Sequence, residues 1–160
     1  MYEKFGQFID GKWSPSSNKE TYEVINPATE EVLGHASKAS PADVERALKS
    51  AEKGLKVWKK TTPWDRSYIL RRIADKLREK KNVLAKWMTL ENGKPLAEGI
   101  GETNGAADIF EWNAEETKRI FGQTIESRSE DTRVHVYYQP VGVVAALSPW
   151  NFPLILAARK

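Results

Sequence analysis

Cysteine is absent from this 160-residue chain. Its absence excludes disulfides, cysteine-ligated zinc and any thiol reaction run by the chain's own side chains. Histidine is nearly as scarce: His35 and His135 stand isolated, and no metal-ligand cluster can be recognised around either. No uninterrupted apolar run approaches the roughly 20 residues that a membrane-spanning helix needs, and Met1-Tyr2-Glu3-Lys4 opens no apolar stretch of signal-peptide length. A soluble cytoplasmic protein with no membrane partner is therefore expected. Strong charge of one sign is missing too. The 25 basic and 22 acidic residues are interspersed and leave a formal charge of +3, which gives no patch of the kind that binds nucleic acid. What is present is a 40% hydrophobic content, enough for one domain with a real core.

The first 36 residues read as β. Asp10-Gly11 between Phe8-Ile9 and Lys12-Trp13 suits a two-residue type I′ hairpin, because that pair tolerates the positive φ the turn requires. Tyr22-Glu23-Val24-Ile25 and Val32-Leu33-Gly34-His35 flank the turn cluster Asn26-Pro27-Ala28-Thr29, in which Pro27 cannot continue a ladder.

Helices follow. Ser40-Pro41 supplies an N-cap and a first-turn proline with Asp43 at the third helical position, after which Val44, Ala47, Leu48, Ala51, Leu55 and Trp58 recur at helical spacing. Thr62-Pro63 repeats the device for a helix with Ile69, Leu70, Ile73 and Leu77 on one face. A separate shorter helix is expected around Leu84, Trp87 and Met88, stopping near Gly93 as its C′ residue. Across 95–121, Leu96, Ile100, Thr103, Ala107, Phe110, Ala114, Thr117 and Phe121 form a heptad-like stripe. Two readings compete there, a buried globular helix and a dimeric coiled coil. Gly99, Gly101 and Gly105, each costing about 1 kcal/mol against alanine in an exposed helix, argue for close packing against another element.

Beyond Gly122 the pattern changes to strands. Residues 133–139 alternate, with Val134, Val136 and Tyr138 on one face and His135 and Tyr137 on the other, whereas 141–147 is a continuous apolar run of the sort buried on both faces of a parallel sheet. Gly99-Ile100-Gly101 imitates the start of a dinucleotide fingerprint, but it lies in a helical pattern with no preceding strand and with Asn104 where the third glycine should fall. Glu115-Glu116 reads as a solvated helix face rather than an acid–base pair.

The run Leu147-Ser148-Pro149-Trp150-Asn151-Phe152-Pro153, after an apolar strand, resembles the signature of the aldehyde dehydrogenase family. Phe8-Ile9-Asp10-Gly11-Lys12-Trp13, Ile25-Asn26-Pro27-Ala28-Thr29 and Glu91-Asn92-Gly93-Lys94-Pro95-Leu96-Ala97-Glu98 resemble that family's N-terminal half in order. Two later blocks, Glu111-Trp112-Asn113-Ala114-Glu115-Glu116-Thr117-Lys118-Arg119-Ile120-Phe121-Gly122 and Gln139-Pro140-Val141-Gly142-Val143-Val144, look most like the succinate-semialdehyde dehydrogenase branch.

The resemblance implies an α/β protein, the incomplete N-terminal part of the aldehyde dehydrogenase fold. Hairpins and helices of the cofactor-binding domain would occupy 1–132, a bridging and oligomerisation strand 133–139, and the first strand of the nucleotide-binding sheet with the start of its helix 140–160. The rest of the cofactor domain and the whole catalytic domain would be absent. The implied reaction is NAD- or NADP-dependent oxidation of a small-molecule aldehyde, with succinate semialdehyde as candidate, to the carboxylic acid, in an enzyme that is a homo-oligomer when intact. With neither nucleophilic cysteine nor general-base glutamate, the chain is expected to be inactive alone. The alternative is an interaction fragment that pairs with a full-length homologue or with a separately encoded C-terminal half.

Aldehyde oxidation by a thiol needs a nucleophile, oxyanion donors, a base and a hydride acceptor. Asn151 can supply the donor, typically worth about 2.7–4 kcal/mol of transition-state stabilisation. From spacing alone it reads rather as the cap of a helix beginning at Phe152-Pro153, and only the resemblance carried by Pro149-Trp150 and Phe152-Pro153 reverses that preference. By the resemblance, Leu147, Ser148, Pro149, Trp150 and Asn151 lie along the cofactor's nicotinamide-ribose side, and Phe152 lines the aldehyde tunnel. Arg159 matches an arginine that pairs with a distal substrate carboxylate, a task that suits its planar fork. Leu154-Ile155-Leu156-Ala157-Ala158 departs from that branch.

Overall fold

The computed structural model describes residues 6–160, so the run Met1-Tyr2-Glu3-Lys4 lies outside the described residues. Strand β1 (Gln7–Ile9) pairs antiparallel with β2 (Lys12–Ser14) through Asp10 and Gly11, at φ 55° and 75°. Both central residues occupy the left-handed region that a type I′ turn demands. Strands β3 (Thr21–Ile25) and β4 (Val32–Ser37) form the second hairpin, in which the Ala28 amide donates to Asn26 Oδ1 at 3.0 Å and closes the turn as an Asx turn.

Helix α1 (Pro41–Trp58) begins in a complete capping box: the Asp43 amide donates to Ser40 Oγ, and the Ser40 amide returns the bond to the Asp43 carboxylate. Asp43 does more than cap. It is 1% exposed and also accepts from Ser16 Oγ (2.9 Å), the Ser17 amide (3.1 Å) and Arg46 (2.9 Å), which ties the segment after β2 to the start of α1. The Ser40 amide above all, then the Ser17 amide and the Ser16 and Ser40 hydroxyls, hold its carboxyl well below the usual carboxylate range against the opposing effect of burial.

The two helices expected between Pro63 and Gly93 are one. Helix α2 (Pro63–Asn92) runs unbroken for 30 residues, because Arg78-Glu79-Lys80-Lys81-Asn82 contains neither glycine nor proline and most of it favours helix. It ends as expected at Gly93, whose φ of 75° is left-handed. Helix α3 (Leu96–Glu116) then folds back along α2 and continues into a 3₁₀ turn at Thr117–Arg119. Thr103, Ala107, Ala114 and Thr117 of the stripe are buried, whereas Leu96 and Phe121 at its ends are exposed. A Cβ added to Gly99 would sit 3.0 Å from the Ala85 Cα, so the glycine serves close approach to α2. The stripe is thus covered, through its middle, from within the same chain.

Strand β6 (Arg133–Val136) ends before the expected 139 and pairs antiparallel with β5 (Gln123–Glu126), a partner that the sequence reading did not identify. The apolar run 141–147 forms no strand. Val141 is 93% and Leu147 83% exposed, and no neighbouring strand lies beside them among the described residues, so the hydrogen bonds that would make the run a ladder are not available. Val143 and Val144 instead pass a groove lined by Phe8 and Ile9 of β1 and by Val44, Ala47 and Leu48 of α1. A short helix, α4 (Pro153–Arg159), follows and packs on α3. No helix among the described residues is long and apolar enough to cross a membrane.

Candidate functional site around the Trp150–Phe152 turn

The left-handed corner at Gly93 sends Lys94 back under the start of α3, where Pro95 is the N-cap with φ −52° and ψ 138°. Two turns into α3 stands Glu102. Their side chains are 5% and 0% exposed and form an ion pair between Lys94 Nζ and Glu102 Oε2. Lys94 Nζ also donates to the Asn151 carbonyl at 2.7 Å and lies 3.8 Å from the centroid of the Phe152 ring. An ammonium has three N–H groups, and a carboxylate, a carbonyl and a ring face give each of them a direction.

The other oxygen of Glu102 reaches α4. Oε1 accepts from the backbone amides of Leu154 (2.9 Å) and Ile155 (3.2 Å), two of the donors that the first turn of a helix leaves without intrahelical partners. Asn92, the last residue of α2, donates from Nδ2 to the Trp150 carbonyl. Gly105 admits the α4 side chain: a Cβ there would stand 2.9 Å from Ile155 Cδ1. Asn92, Lys94 and Glu102 thus bracket Asn151 on both sides.

The structure brings Trp150, Asn151 and Phe152 onto this bracket. Leu147, Ser148 and Pro149 precede it as exposed chain outside any ladder, and Trp150 is 79% exposed. Asn151 is exposed and is not the helix cap: the N-cap position is Phe152, whose side chain makes no capping bond, and Glu102 performs that task from a distance. Arg159 is the last residue of α4 and is exposed. Asn92, Lys94 and Glu102 were not identified as site residues from sequence. Asn92 and Lys94 stand in the block Glu91-Asn92-Gly93-Lys94-Pro95-Leu96-Ala97-Glu98, but nothing in their spacing from Asn151 signals contact.

The remaining candidates fall as chemistry would place them. Gly99-Ile100-Gly101 lies inside α3, and Glu115 and Glu116 are engaged by Arg71, Lys118 and Arg119 on a helix face. No group of three or more His, Cys, Asp or Glu positioned for a metal occurs among the described residues.

Comparison with known proteins then gives three kinds of likeness. The model of the aldehyde dehydrogenase family matches residues 13–160. Glutarate-semialdehyde dehydrogenase of Pseudomonas aeruginosa is 44% identical over 153 residues, and the NADP-dependent succinate-semialdehyde dehydrogenase of Escherichia coli K12 is 43% identical over 152. These alignments cover 96% and 95% of this chain, but only 32% of each relative. The solved structure of succinate-semialdehyde dehydrogenase from Burkholderia pseudomallei superposes with a TM-score of 0.94 at 40% identity, covering 98% of this chain and 32% of that one. The chain therefore spans about a third of the length of the relatives it matches, and its fold is that of their N-terminal part.

Proposed function

The chain belongs to the aldehyde dehydrogenase family, and from that premise we propose that it supplies the oxyanion-donor corner of an NAD- or NADP-dependent oxidation of a semialdehyde to its carboxylic acid in a cytoplasmic, homo-oligomeric enzyme. Asn151 is the donor. Its amide hydrogen-bonds the aldehyde oxygen as negative charge develops there, an interaction made mainly in the transition state and so expressed in kcat. The thiol nucleophile of this chemistry is not among the chain's own residues, which include no cysteine. The 160-residue chain by itself is inactive on this reading.

The observation that carries the proposal is the exposed Asn151, whose own carbonyl is fixed by a buried ammonium while its flanking peptides are held by Asn92 and Glu102. A donor works as an oxyanion stabiliser only if it is already in place, and this turn is. Leu147, Ser148, Pro149 and Trp150 would lie along the nicotinamide-ribose edge of the cofactor. Their exposure outside any ladder fits that edge, since hydroxyl groups can reach the backbone there. When bound, NAD or NADP supplies the hydride acceptor. Phe152, 44% exposed and seated on Lys94, would line the aldehyde channel. Arg159 would pair with the distal carboxylate of a substrate such as succinate or glutarate semialdehyde, in keeping with the names of the relatives.

A second reading, a fragment that pairs with a homologue or with a separate C-terminal half, is favoured by the exposed apolar run 141–147. One experiment addresses both. This chain, joined in frame to the remaining two thirds of the P. aeruginosa relative, should reduce NAD or NADP with glutarate or succinate semialdehyde, and the 160-residue chain alone should not. In the joined enzyme Asn151→Ala should lower kcat roughly 100-fold or more, and a change confined to KM would sink the donor role. Arg159→Ala should raise KM for the carboxylate-bearing aldehydes and spare uncharged ones; equal effects would remove the substrate assignment. Activity recovered by simple mixing of the two unjoined parts would favour the pairing reading.

A further inference from the structure

A buried ion pair is no more stabilising, as a rule, than well-packed apolar side chains of the same volume, so the Lys94–Glu102 pair calls for a reason beyond stability. Its bonding pattern provides one. Helix α4 also meets α3 through an apolar contact, at Gly105 and Ile155. The pair instead spends its remaining hydrogen-bonding capacity on backbone: the Asn151 carbonyl on one side and the Leu154 and Ile155 amides on the other. Neither oxygen of Glu102 is idle, and the Phe152 ring closes the last direction open to the ammonium. Water is excluded from both charged heads, so the bonds are strong and geometrically demanding.

We propose that Lys94 and Glu102 are positioning residues for Asn151, a buried charged clamp that fixes the backbone on both sides of the donor so that its amide is preorganised before the aldehyde arrives. The proposal rests on the donor reading of Asn151. Glu102 holds the first turn of α4, Lys94 holds the peptide that carries Asn151 into it, and Asn92 steadies the peptide before. None of the three touches substrate in this scheme. Small displacements of a catalytic group cost large factors in rate, which is why rigid support is worth a buried charge pair.

The neutral double variant Lys94→Met with Glu102→Gln removes both charges without leaving either partner buried and alone. In the 160-residue chain, amide hydrogen exchange at Leu154 and Ile155 should be slow and should accelerate at least about tenfold in this variant, following the loss of a charge-assisted bond. Fast exchange in the parent chain, or unchanged exchange in the variant, would overturn the clamp. In the joined enzyme the same variant should lower kcat at least about tenfold with KM within about twofold, and should lower it no further in an Asn151→Ala background. Equal losses in both backgrounds would show a role that does not pass through Asn151 and would end the proposal. A normal Asn151→Ala defect beside a neutral-pair enzyme of full kcat refutes only the positioning role. An Asn151→Ala enzyme of unchanged kcat refutes the donor reading, and this inference with it.

Discussion

Two buried carboxylates start two helices, and they do so from opposite sides. Asp43 caps α1 from within: it is the third residue of the helix it serves, and its partners Ser40 and Arg46 lie within three positions of it. Glu102 caps α4 from outside, across 52 and 53 residues of chain, and shares its charge with a lysine that is itself buried. The first arrangement joins bonds within its own first turn to bonds from the segment after β2, and several neutral donors plus an exposed arginine share the load. The second is wholly tertiary and has one cation. Losing a partner should therefore be tolerated at Asp43 and punished at Glu102, because only the second site strands a charge away from water.

The sharpest way to break this comparison is Glu102→Ala. It leaves Lys94 uncompensated and should cost roughly 3–5 kcal/mol, a large share of the 5–15 kcal/mol typical of a domain, read as a drop in the urea midpoint of the 160-residue chain. A loss under about 1 kcal/mol would mean that water reaches Lys94 readily and that the two sites are alike. The next effect is one of pH. The Asp43 carboxyl titrates lower in the fold than its ordinary value of 3.8, so its contribution is whole above that value and drains away as pH falls below it. Asp43→Asn should flatten the decline in stability between about pH 4 and about pH 2, measured as urea midpoints; an unchanged slope would show that other carboxylates control acid unfolding. The smallest effect is expected at Lys38, whose ion pair with Glu20 is 64% and 55% exposed on its two sides. Lys38→Ala should shift stability by no more than about 0.5 kcal/mol, and a larger shift would show that burial is not what ranks these carboxylates.

The same contrast governs what could be read in advance. Asp10-Gly11, Ser40-Pro41-Ala42-Asp43, Thr62-Pro63 and Gly93 were legible because each acts on its immediate neighbours, and each does in the structure what its type dictates. The unbroken α2 was missed because its polar middle carries no apolar stripe to connect the two faces, although it contains no breaker either. The strand expected at 141–147 required partners, and its composition speaks only for a strand that has them. At the site, the motif pointed to Asn151 and its neighbours, while Lys94 and Glu102 stayed hidden. Glu102 lies within α3 and Lys94 just before its N-cap, but nothing local tells that a turn 57 residues beyond Lys94 will arrive there.

Lys94 is the one lysine among the described residues that is buried. An amine held in an ion pair and roofed by the Phe152 ring is closed to acylating reagents, which attack the free base from solvent. Mild treatment with acetic anhydride would then mark the exposed lysines at once and Lys94 only in molecules whose turn has swung open. The acetylation clock of a single peptide becomes a gauge of how often the loop lets go.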